Sequence, residues 1–489
     1  MKRFFCLAVL LSLTVSLCSC ANTVSGTEGT SDAAATEEAG ISTAPETEPF
    51  DLVQRRDLGG TFTVLYPVTD SCEKDFLAEN VNGEVQNDAV YSRNAAVQER
   101  LGIQIAIETR QNADEVISEI RKQFSTGDSS FDMFGGHRSV LALSYQGLLQ
   151  DLRRIGEIDF DAPWWDADYN DTMTINGSLY SAVGDISVAS LLFVSSLTFN
   201  KRLAEESGIE FPYDKVRNRT WTYEELLATV KDYGGDTGGA DLNMESDTYS
   251  IVGWSYESGY SLFYGSGFSF MSRTQEGGYK VEYSADTLNT VLEQANKLWH
   301  TPRALCYYGT GDEEHIKLYR VFAEGRALFS DICLSKIGRF YSGMTDDYGI
   351  LPLPLMSKDQ DRYYSYCGYT IPVTCLTRNP EDPERVGIII EALAKASYTM
   401  VTPKIYEIVT KSRNVRDAAS PEMVEIIYRN KIYDPAHFYD LPSIGSLSRD
   451  QIKADNAGLS SKLRAAQTQA VKKWDSIQLE YDKLSAAGG

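Results

Sequence analysis

Several features that mark common protein classes are missing from this sequence of 489 residues. No apolar run after the first twenty residues is long enough to cross a bilayer. No long run of Lys and Arg occurs and the formal net charge is −23, so the sequence offers no surface for nucleic acid or anionic lipid. Only four histidines are present, which argues against imidazole chemistry. We therefore expect no nucleic-acid partner.

The local motifs of common enzyme classes are also missing. The sequence has no G-x-S-x-G elbow, no G-x-G-x-x-G after a strand, no Walker phosphate loop and no H-E-x-x-H zinc motif. A glycosidase stays open as an alternative, because it needs only two acidic side chains about 5 to 10 Å apart. The 69 Asp and Glu residues provide many such pairs.

Metal-binding and disulfide patterns are scarce as well. Five cysteines follow residue 20 without a C-x-x-C pair, and we expect buried free thiols, with a Cys367–Cys375 disulfide as the alternative. Asp166, Asp168 and Asn170 resemble the start of a calcium loop but lack the glycine and bidentate glutamate that follow in one. We expect no metal site and no cofactor.

The first twenty residues predict a secreted, lipid-anchored protein. Lys2 and Arg3 precede a short apolar run at residues 4–15. Residues 17–20 resemble the lipobox of bacterial lipoproteins, in which the cysteine is acylated. The alternative is an ordinary cleaved signal peptide with a chance cysteine. We predict a signal peptide at residues 1–20, lipidation of Cys20, and a location on the extracellular or periplasmic face of the cell membrane.

Residues 21–54 have a different composition. From Ala21 to Asp51 the segment holds seven acidic residues and no basic residue, and Phe50 is its only aromatic residue. Such a segment cannot bury enough apolar surface to fold. We predict a disordered acidic tether that holds a folded body, starting near Arg55, away from the membrane.

The body begins with a β–α–β–α–β pattern. Residues 61–66 predict a strand, residues 88–101 a helix, and alternating isoleucines at residues 103–107 a second strand. A second helix then leads to a third strand at residues 131–134. This order predicts a parallel sheet.

The rest of the chain continues the α/β alternation. Thr222 opens a helix with a capping box, and apolar stretches at residues 326–330 and 348–353 predict buried strands. A long final helix carries an apolar stripe that includes Trp474 and Tyr481. We expect this helix to pack on its own domain, with a coiled coil as the alternative.

A series of short segments occurs in an order typical of one family, including NAAVQERLGI, FAEGRALF and YGILPLP. The segments are residues 94–103, 131–136, 163–165, 179–185, 199–203, 218–222, 322–329, 348–354 and 416–423. Each is weak evidence alone, but their order is specific. The chain resembles the extracellular solute-binding lipoproteins of bacterial ABC importers, in particular the carbohydrate-type family 1 proteins. The resemblance covers nearly the whole mature chain.

The resemblance implies an α/β fold of two lobes, a type II periplasmic-binding-protein-like clamshell with hinge strands crossing between the lobes. Crossings are expected near residues 191–200, 322–330 and 369–374. Lobe 1 is expected to contain residues 55–192 and 323–370, and lobe 2 residues 193–322 and 371–489.

The resemblance also implies a function. We expect a monomer, not an enzyme, that captures a small carbohydrate, an oligosaccharide, between the lobes and delivers it to ABC permease subunits. The chain is expected to meet the membrane only through its lipid anchor. The alternatives are a sensor or adhesin on the same fold, a binding protein for a non-sugar solute such as a peptide or polyamine, and a surface glycosidase.

Aromatic side chains beside acidic ones suit a sugar, whose ring has an apolar face to stack and hydroxyl groups to hydrogen-bond. The densest clusters of aromatic residues predict the ligand-binding residues Trp164, Trp165, Trp254, Tyr256 and Tyr260. Packing in the core is the alternative for each tryptophan.

Loops that follow strands predict further ligand-binding residues, because ligands bind beyond the carboxyl ends of strands in such sheets. The ligand-binding residues predicted in this second group are Asp70, Gly136, His137, Arg138, Asp185, Asp331 and Tyr366. Helix capping is the alternative for the histidine and arginine. Satisfying buried backbone donors is the alternative for Asp185 and Asp331.

Overall fold

The computed structural model describes residues 54–128, 130–234, 243–309, 312–368, 370–410, 415, 417–442, 449 and 459–486. The predicted signal peptide, Cys20 and the predicted tether up to residue 53 lie outside the described residues. Within the described part of the chain, no helix combines the length and hydropathy needed to span a bilayer.

The described residues form strands and helices in an α/β order. The strands are β1 (Thr61–Pro67), β2 (Gln104–Arg110), β3 (Met133–Gly136), β4 (Ser195–Asn200), β5 (Tyr249–Trp254), β6 (Met271–Arg273), β7 (Tyr279–Val281), β8 (Ala304–Tyr307), β9 (Ala327–Cys333), β10 (Tyr348–Leu351), β11 (Ser365–Tyr366), β12 (Val373–Cys375) and β13 (Lys431–Ile432). The helices are α1 (Val85–Leu101), α2 (Ala113–Thr126), α3 (Ala167–Thr172), α4 (Ala189–Leu192), α5 (Lys201–Glu206), α6 (Tyr213–Arg217), α7 (Tyr223–Gly234), α8 (Ser255–Gly265), α9 (Ala285–Trp299), α10 (Asp312–Ala323), α11 (Leu334–Phe340), α12 (Pro383–Met400), α13 (Thr402–Thr410), α14 (Ser420–Arg429), α15 (Pro435–Phe438) and α16 (Leu459–Ala486). Short 3₁₀ helices occupy Thr69–Asp75, Arg138–Leu143 and Leu152–Arg154.

The first sheet has the strand order β12–β3–β1–β2. Strand β1 pairs in parallel with β2 and β3, whereas β12 pairs antiparallel with β3. Side chains of β1 alternate between two cores: Phe62 and Val64 pack with α12, and Leu65 packs with α2. The predicted β–α–β–α–β order and parallel pairing are confirmed, with helices on both faces of the sheet.

The second sheet has the strand order β10–β4–β9–β5–β8. Strand β5 pairs in parallel with β8 and β9, and β4 runs antiparallel to β9 and β10. One face packs Phe199, Ile251 and Phe329 against Trp221 and Trp299. Every residue of β4 and β9 is buried, as expected for strands covered on both faces.

The chain passes between the two sheets through two neighbouring segments, residues 183–194 and 367–372. They run antiparallel, and Val194 forms a β-bridge with Cys367. Residue 369, within the second segment, lies outside the described residues. We call residues 183–194 and 367–372 the crossing segments. They overlap two of the three crossings predicted from the sequence, those near residues 191–200 and 369–374.

The third predicted crossing is wrong, and the lobe assignments need correction. Strand β9 lies in the range 323–370 that we assigned to lobe 1, but it is hydrogen-bonded between β4 and β5 in the second sheet. Strand β12 lies in the range assigned to lobe 2, yet it pairs with β3 in the first sheet. Helix α12 likewise packs with α1. Strand pairing therefore places β9 in lobe 2 and β12 in lobe 1.

The final helix, α16, packs within the chain. The indole of Trp474 donates to the carbonyl oxygen of Tyr279 over 2.6 Å. About two turns further along the helix, the hydroxyl of Tyr481 lies 2.6 Å from the hydroxyl of Ser144. Both side chains are buried against the same chain, which confirms intramolecular packing and contradicts the coiled-coil alternative.

The described cysteines are buried free thiols, as expected, and Cys367 and Cys375 do not pair. Burial raises the pKa of the Cys333 and Cys367 thiols to about 12. These groups therefore stay protonated at neutral pH and behave as small apolar side chains.

Candidate functional site

A cavity of about 710 Å³ lies between the carboxyl-end edge of the second sheet and the segment that follows β1 in the first sheet. Its second-sheet side is formed at the ends of β5 and β9 and by the helices α8 and α11 that follow them. Its first-sheet side is formed by the 3₁₀ helix Thr69–Asp75 and by Gln86. Phe193 and Gly368 of the crossing segments also line it. Ligands commonly bind at such positions in α/β sheets.

Trp254 ends β5 and presents a half-buried ring to the cavity. Its indole nitrogen donates to the carbonyl oxygen of Gly309 over 3.0 Å, which fixes the orientation of the ring. The ring centroids of Tyr256 and His315 lie 5.0 and 4.4 Å from that of Trp254. The ammonium nitrogen of Lys336 lies 4.7 Å from the same centroid, within cation–π range. The cavity therefore has an aromatic wall that carries a cation.

Lys336 is also held by polar partners. Its Nζ forms an ion pair with Glu257 and lies 3.1 Å from Nε2 of His315. Glu257 accepts a further hydrogen bond of 2.7 Å from the hydroxyl of Tyr319. Burial raises the pKa of Tyr319 well above its ordinary value, so this hydroxyl remains a donor at neutral pH. Both carboxylate oxygens of Glu257 are thus engaged.

A buried polar cluster lies behind this wall. Burial raises the pKa of Asp331, which is only 2% exposed, to about 7; the Ser258 hydroxyl opposes the shift and the Glu257 charge adds to it. Within the described residues, Oδ1 of Asp331 and the hydroxyls of Ser255, Ser258 and Ser261 make no hydrogen bond of normal geometry. Ser261 lines the cavity. Near neutral pH, Asp331 is therefore divided between its charged and neutral forms.

On the first-sheet side, Lys74 and Asp75 end the 3₁₀ helix that follows β1. Asp75 is 1% exposed, and its carboxylate accepts hydrogen bonds from the Ser187 hydroxyl (2.6 Å) and the Ala189 amide (3.2 Å). Burial raises the pKa of Asp75 to about 7, opposed by the hydrogen bond from Ser187. The buried guanidinium of Arg93 donates to the Asp75 carbonyl over 2.5 Å. These contacts attach the loop that carries Lys74 to a crossing segment.

Tyr366 lines the cavity from β11, next to the second crossing segment. Its ring stacks with those of Tyr260 and Tyr264, with centroids 5.3 and 5.5 Å apart. Its hydroxyl lies 3.0 Å from Nε2 of His437. Tyr366 is thus the cavity-lining member of an aromatic stack that continues into the core, where Tyr260 is buried.

Trp164 and Trp165, predicted as ligand contacts, lie outside this cavity. Both indole nitrogens donate to one carboxylate, that of Glu391 on α12, over 2.8 and 2.9 Å. Trp165 is 4% exposed and packs against Phe160, with ring centroids 5.2 Å apart. A smaller cavity of about 310 Å³, lined in part by Glu391 and Lys395, has no wall from the second sheet. These contacts fit the alternative that both tryptophans are packing residues.

Several other predicted residues lie away from the cavity, near the end of β3. Gly136 is buried in that strand, and His137 occupies the cap position of the following 3₁₀ helix. Arg138 donates to the carbonyl oxygen of His437 over 2.8 Å and pairs with Asp440 at 2.9 Å. His137 makes no side-chain capping hydrogen bond and Arg138 contacts His437 and Asp440, so neither side chain caps the helix and neither lines the cavity.

The remaining predicted residues are Asp185 and Asp70. The carboxylate of Asp185 accepts a 2.7 Å hydrogen bond from Thr402, and its amide donates to the carbonyl oxygen of Trp164 over 2.9 Å. Burial raises its pKa to about 7, opposed by the hydrogen bond from Thr402. Asp70 belongs to the 3₁₀ helix after β1, but its side chain lies outside the described residues.

The structure thus brings Trp254, Tyr256 and Tyr366 to one cavity, with Asp331 directly behind it. Sequence reasoning missed the charged and histidine residues that line it, namely Lys74, Asp75, Glu257, His315, Lys336 and Arg339. The sequence contained a signal for four of these residues. Lys74 and Asp75 share the loop of the nominated Asp70, and Lys336 and Arg339 are three residues apart on the helix that follows Asp331.

Among the described residues, no group of three or more His, Cys, Asp or Glu side chains is placed to hold a metal ion. Asp166, from the calcium-like triplet, caps α3 through a 2.9 Å hydrogen bond from the Tyr169 amide. It also accepts a 2.7 Å hydrogen bond from Tyr433 and pairs with Lys431. Its oxygens therefore serve protein contacts.

No family model and no curated protein matches this chain. Solved structures do. The galacto-N-biose/lacto-N-biose I-binding protein of an ABC transporter from Bifidobacterium longum, in complex with lacto-N-biose, is 13% identical with a TM-score of 0.59, covering 86% of this chain and 98% of that one. A sugar transporter protein from Rhizobium etli in an open conformation is 14% identical with a TM-score of 0.57, covering 84% and 99%. An ABC substrate-binding protein from Listeria monocytogenes in complex with cycloalternan is 12% identical with a TM-score of 0.52, covering 85% and 99%.

At these identities the likeness establishes the fold. The chain has the two-lobed α/β fold of these substrate-binding proteins, with the two sheets at the centres of the lobes. The fold class predicted from the sequence is confirmed, and the resemblance to carbohydrate-type solute-binding proteins is confirmed at the level of the fold. The cavity lies where the crossing segments join the two lobes.

Proposed function

We propose that this chain is an extracellular solute-binding protein that captures an oligosaccharide between its lobes and delivers it to the permease of an ABC transporter. The observation that carries the proposal is the cavity of about 710 Å³, which has one wall from each sheet and is bordered by the crossing segments. Lobes joined by such strands can close on a ligand, as periplasmic binding proteins do. A transporter can then distinguish the closed form from the open one.

The side chains of the cavity support a sugar as the solute. Trp254 and Tyr256, both half-buried, offer aromatic surface to the C–H groups of a sugar ring. Glu257 and Ser261 offer hydrogen-bonding groups to its hydroxyls. Two proteins with this fold were solved with lacto-N-biose and with cycloalternan, which favours an oligosaccharide over a single sugar for this chain as well.

We propose that the chain binds its solute without catalysing a reaction. A glycosidase needs one free carboxylate and one carboxylic acid beside the scissile bond. At the cavity, Glu257 is held by the ammonium of Lys336 and by the hydroxyl of Tyr319, while Asp331 lies buried behind the wall. Glu257 and Asp75, the two carboxylates that line the cavity, are both held by protein contacts, and Asp331 does not line it, so the glycosidase alternative ranks lower.

The proposal also includes a lipid anchor at Cys20, a monomeric body and a position on the outer face of the cell membrane. A Cys20→Ser variant should leave the membrane fraction. Its affinity for the solute should stay the same, because residues 21–54 separate the anchor from the body. Retention of the variant in the membrane fraction would contradict lipidation of Cys20.

The experiment that tests the solute is a thermal-shift screen of the full chain purified as the Cys20→Ser variant. Mono- and oligosaccharides are screened beside peptides and polyamines, since a ligand that binds only the folded state raises the apparent Tm. We expect a selective shift with an oligosaccharide that is not consumed on long incubation. A shift with peptides or polyamines alone would refute the carbohydrate, and consumption of the sugar would refute the non-enzymatic function.

A further inference from the structure

The charges around the cavity indicate a more specific solute. The chain carries a formal net charge of −23, so its surface as a whole repels anions. Three cationic side chains nevertheless line the cavity, those of Lys74, Lys336 and Arg339. The guanidinium of Arg449 lies 4.3 Å from the ring centroid of the lining residue Tyr256. This concentration of positive charge runs against the composition of the chain.

The acidic residues of the lining are already engaged. Glu257 forms an ion pair with Lys336 and accepts a hydrogen bond from Tyr319. Asp75 is 1% exposed and accepts hydrogen bonds from a hydroxyl and an amide of the first crossing segment, with the buried Arg93 beside it. Neither carboxylate is therefore placed to neutralise the remaining cations.

Lys74 and Arg339 form no ion pair with any residue that the structure describes. Both side chains are exposed to solvent. Arg339 lies on α11 at the second-sheet side, where its guanidinium is 5.1 Å from the ring centroid of Phe340. Lys74 lies at the first-sheet side, on the 3₁₀ helix after β1. A solute between the two sides meets a cation from each.

We propose that the solute is an acidic oligosaccharide, one that carries a carboxylate or sulfate group, and that Lys74 and Arg339 bind that group. The proposal rests on the proposed function, since it names the class of sugar that the same cavity takes. The guanidinium fork of Arg339 matches two oxygens of a carboxylate or sulfate, whereas Lys74 supplies a mobile point charge. An anion at this position contributes Coulomb attraction to both walls of the cavity.

The test compares acidic sugars with matched neutral ones by titration calorimetry, on the full chain purified as the Cys20→Ser variant. Trigalacturonic acid is compared with its methyl ester, which keeps the backbone but lacks the charge. Sulfated lactose is compared with lactose, which lacks any charge, so that the two pairs distinguish a carboxylate from a sulfate. We expect an acidic sugar to bind about tenfold or more tightly than its neutral partner, and this preference to shrink as salt is added.

Two substitutions assign the preference to residues. Arg339→Gln and Lys74→Gln should each weaken binding of the acidic sugar by about tenfold, and should weaken binding of its neutral partner by less, so that the acidic preference shrinks. Lys122→Gln is the matched control, because it removes the same charge from an exposed lysine on α2 that does not line the cavity. It should leave the preference intact.

The outcomes separate this inference from the proposed function. If the sugars that bind are neutral, or if the two substitutions leave the acidic preference unchanged, the inference is overturned while carbohydrate capture stands. If no sugar binds and a peptide or polyamine does, the proposed function fails and the acidic sugar fails with it.

Discussion

Two aromatic clusters, one beside the first-sheet core and one at the edge of the second sheet, differ in where the polar partners of their tryptophans come from. Trp164 and Trp165 donate to one carboxylate, Glu391, on a helix of the same lobe. Trp254 donates to a main-chain carbonyl, and its ring faces Lys336 and the cavity. Trp165 is buried in the first-sheet core, whereas the ring of Trp254 is half-buried and lines the cavity, so part of its surface remains available to a ligand.

Each cluster also has a buried carboxyl group, and these two differ in the same way. Asp185 accepts a hydrogen bond from Thr402 and donates its amide to the carbonyl oxygen of Trp164. Asp331, behind Trp254, has an oxygen without a hydrogen bond of normal geometry among the described residues. Buried polar groups are normally satisfied in native structures.

The largest change in the free energy of unfolding is expected at Trp165. Trp165→Ala removes a large buried side chain and should lower the free energy of unfolding by about 3 to 5 kcal/mol, measured by urea denaturation. Affinity for the solute should not change in the folded fraction. Trp165→Phe keeps most of the volume and should cost less. A loss of affinity with stability intact would contradict a packing role.

Trp254 should show the opposite behaviour. Trp254→Ala should weaken binding of the solute by about 1 to 3 kcal/mol, roughly 5- to 150-fold in Kd by calorimetry, because aromatic contact with the ligand is lost. Its effect on the free energy of unfolding should be smaller than that of Trp165→Ala, since the ring is only half-buried. Unchanged affinity would remove Trp254 from the site.

The pH dependence of stability tests Asp331. Burial raises its pKa in the folded state to about 7, above the value of about 3.9 in an unfolded chain. The folded state therefore favours the neutral acid, and this contribution to stability is full below pH 4 and is lost as the pH rises toward 7. Asp331→Asn, which removes the titrating group, should therefore lose less stability than the parent protein between pH 4 and pH 7, measured by urea denaturation at each pH. Superimposable pH profiles would contradict the raised pKa.

The smallest effect is expected at Trp164. Trp164→Phe removes one hydrogen bond to Glu391 from a half-buried ring and should lower the free energy of unfolding by about 1 kcal/mol. Its Kd for the solute should equal that of the parent protein. A Kd as weak as that of Trp254→Ala would instead place the solute in the smaller cavity beside Glu391.

The elements of the fold were predictable because their signals are local. Apolar periodicity predicted β1 and α1, and the capping box at Thr222 marked the start of α7, where its hydroxyl accepts a 3.3 Å hydrogen bond from the Glu225 amide. The lobe to which β9 belongs was not predictable in this way. Its apolar sequence is compatible with either sheet, and the choice depends on partners more than a hundred residues away in β4.

The site was predictable only in part, for a related reason. Trp254 and Tyr256 stand out in the sequence because aromatic residues cluster there. Lys74 and Arg339 do not, because an isolated charged residue on a helix resembles any solvated surface residue. What distinguishes them is that the tertiary fold brings the 3₁₀ helix after β1 opposite α11, on two sides of one cavity.

The position of the solute between the lobes, against Trp254, is best tested by a crystal structure of the protein with an oligosaccharide that raises its Tm. We expect a sugar ring against Trp254 and Tyr256, with its polar groups in contact with side chains from both sheets. A sugar bound against Trp164 beside Glu391, with the cavity between the lobes left empty, would contradict it.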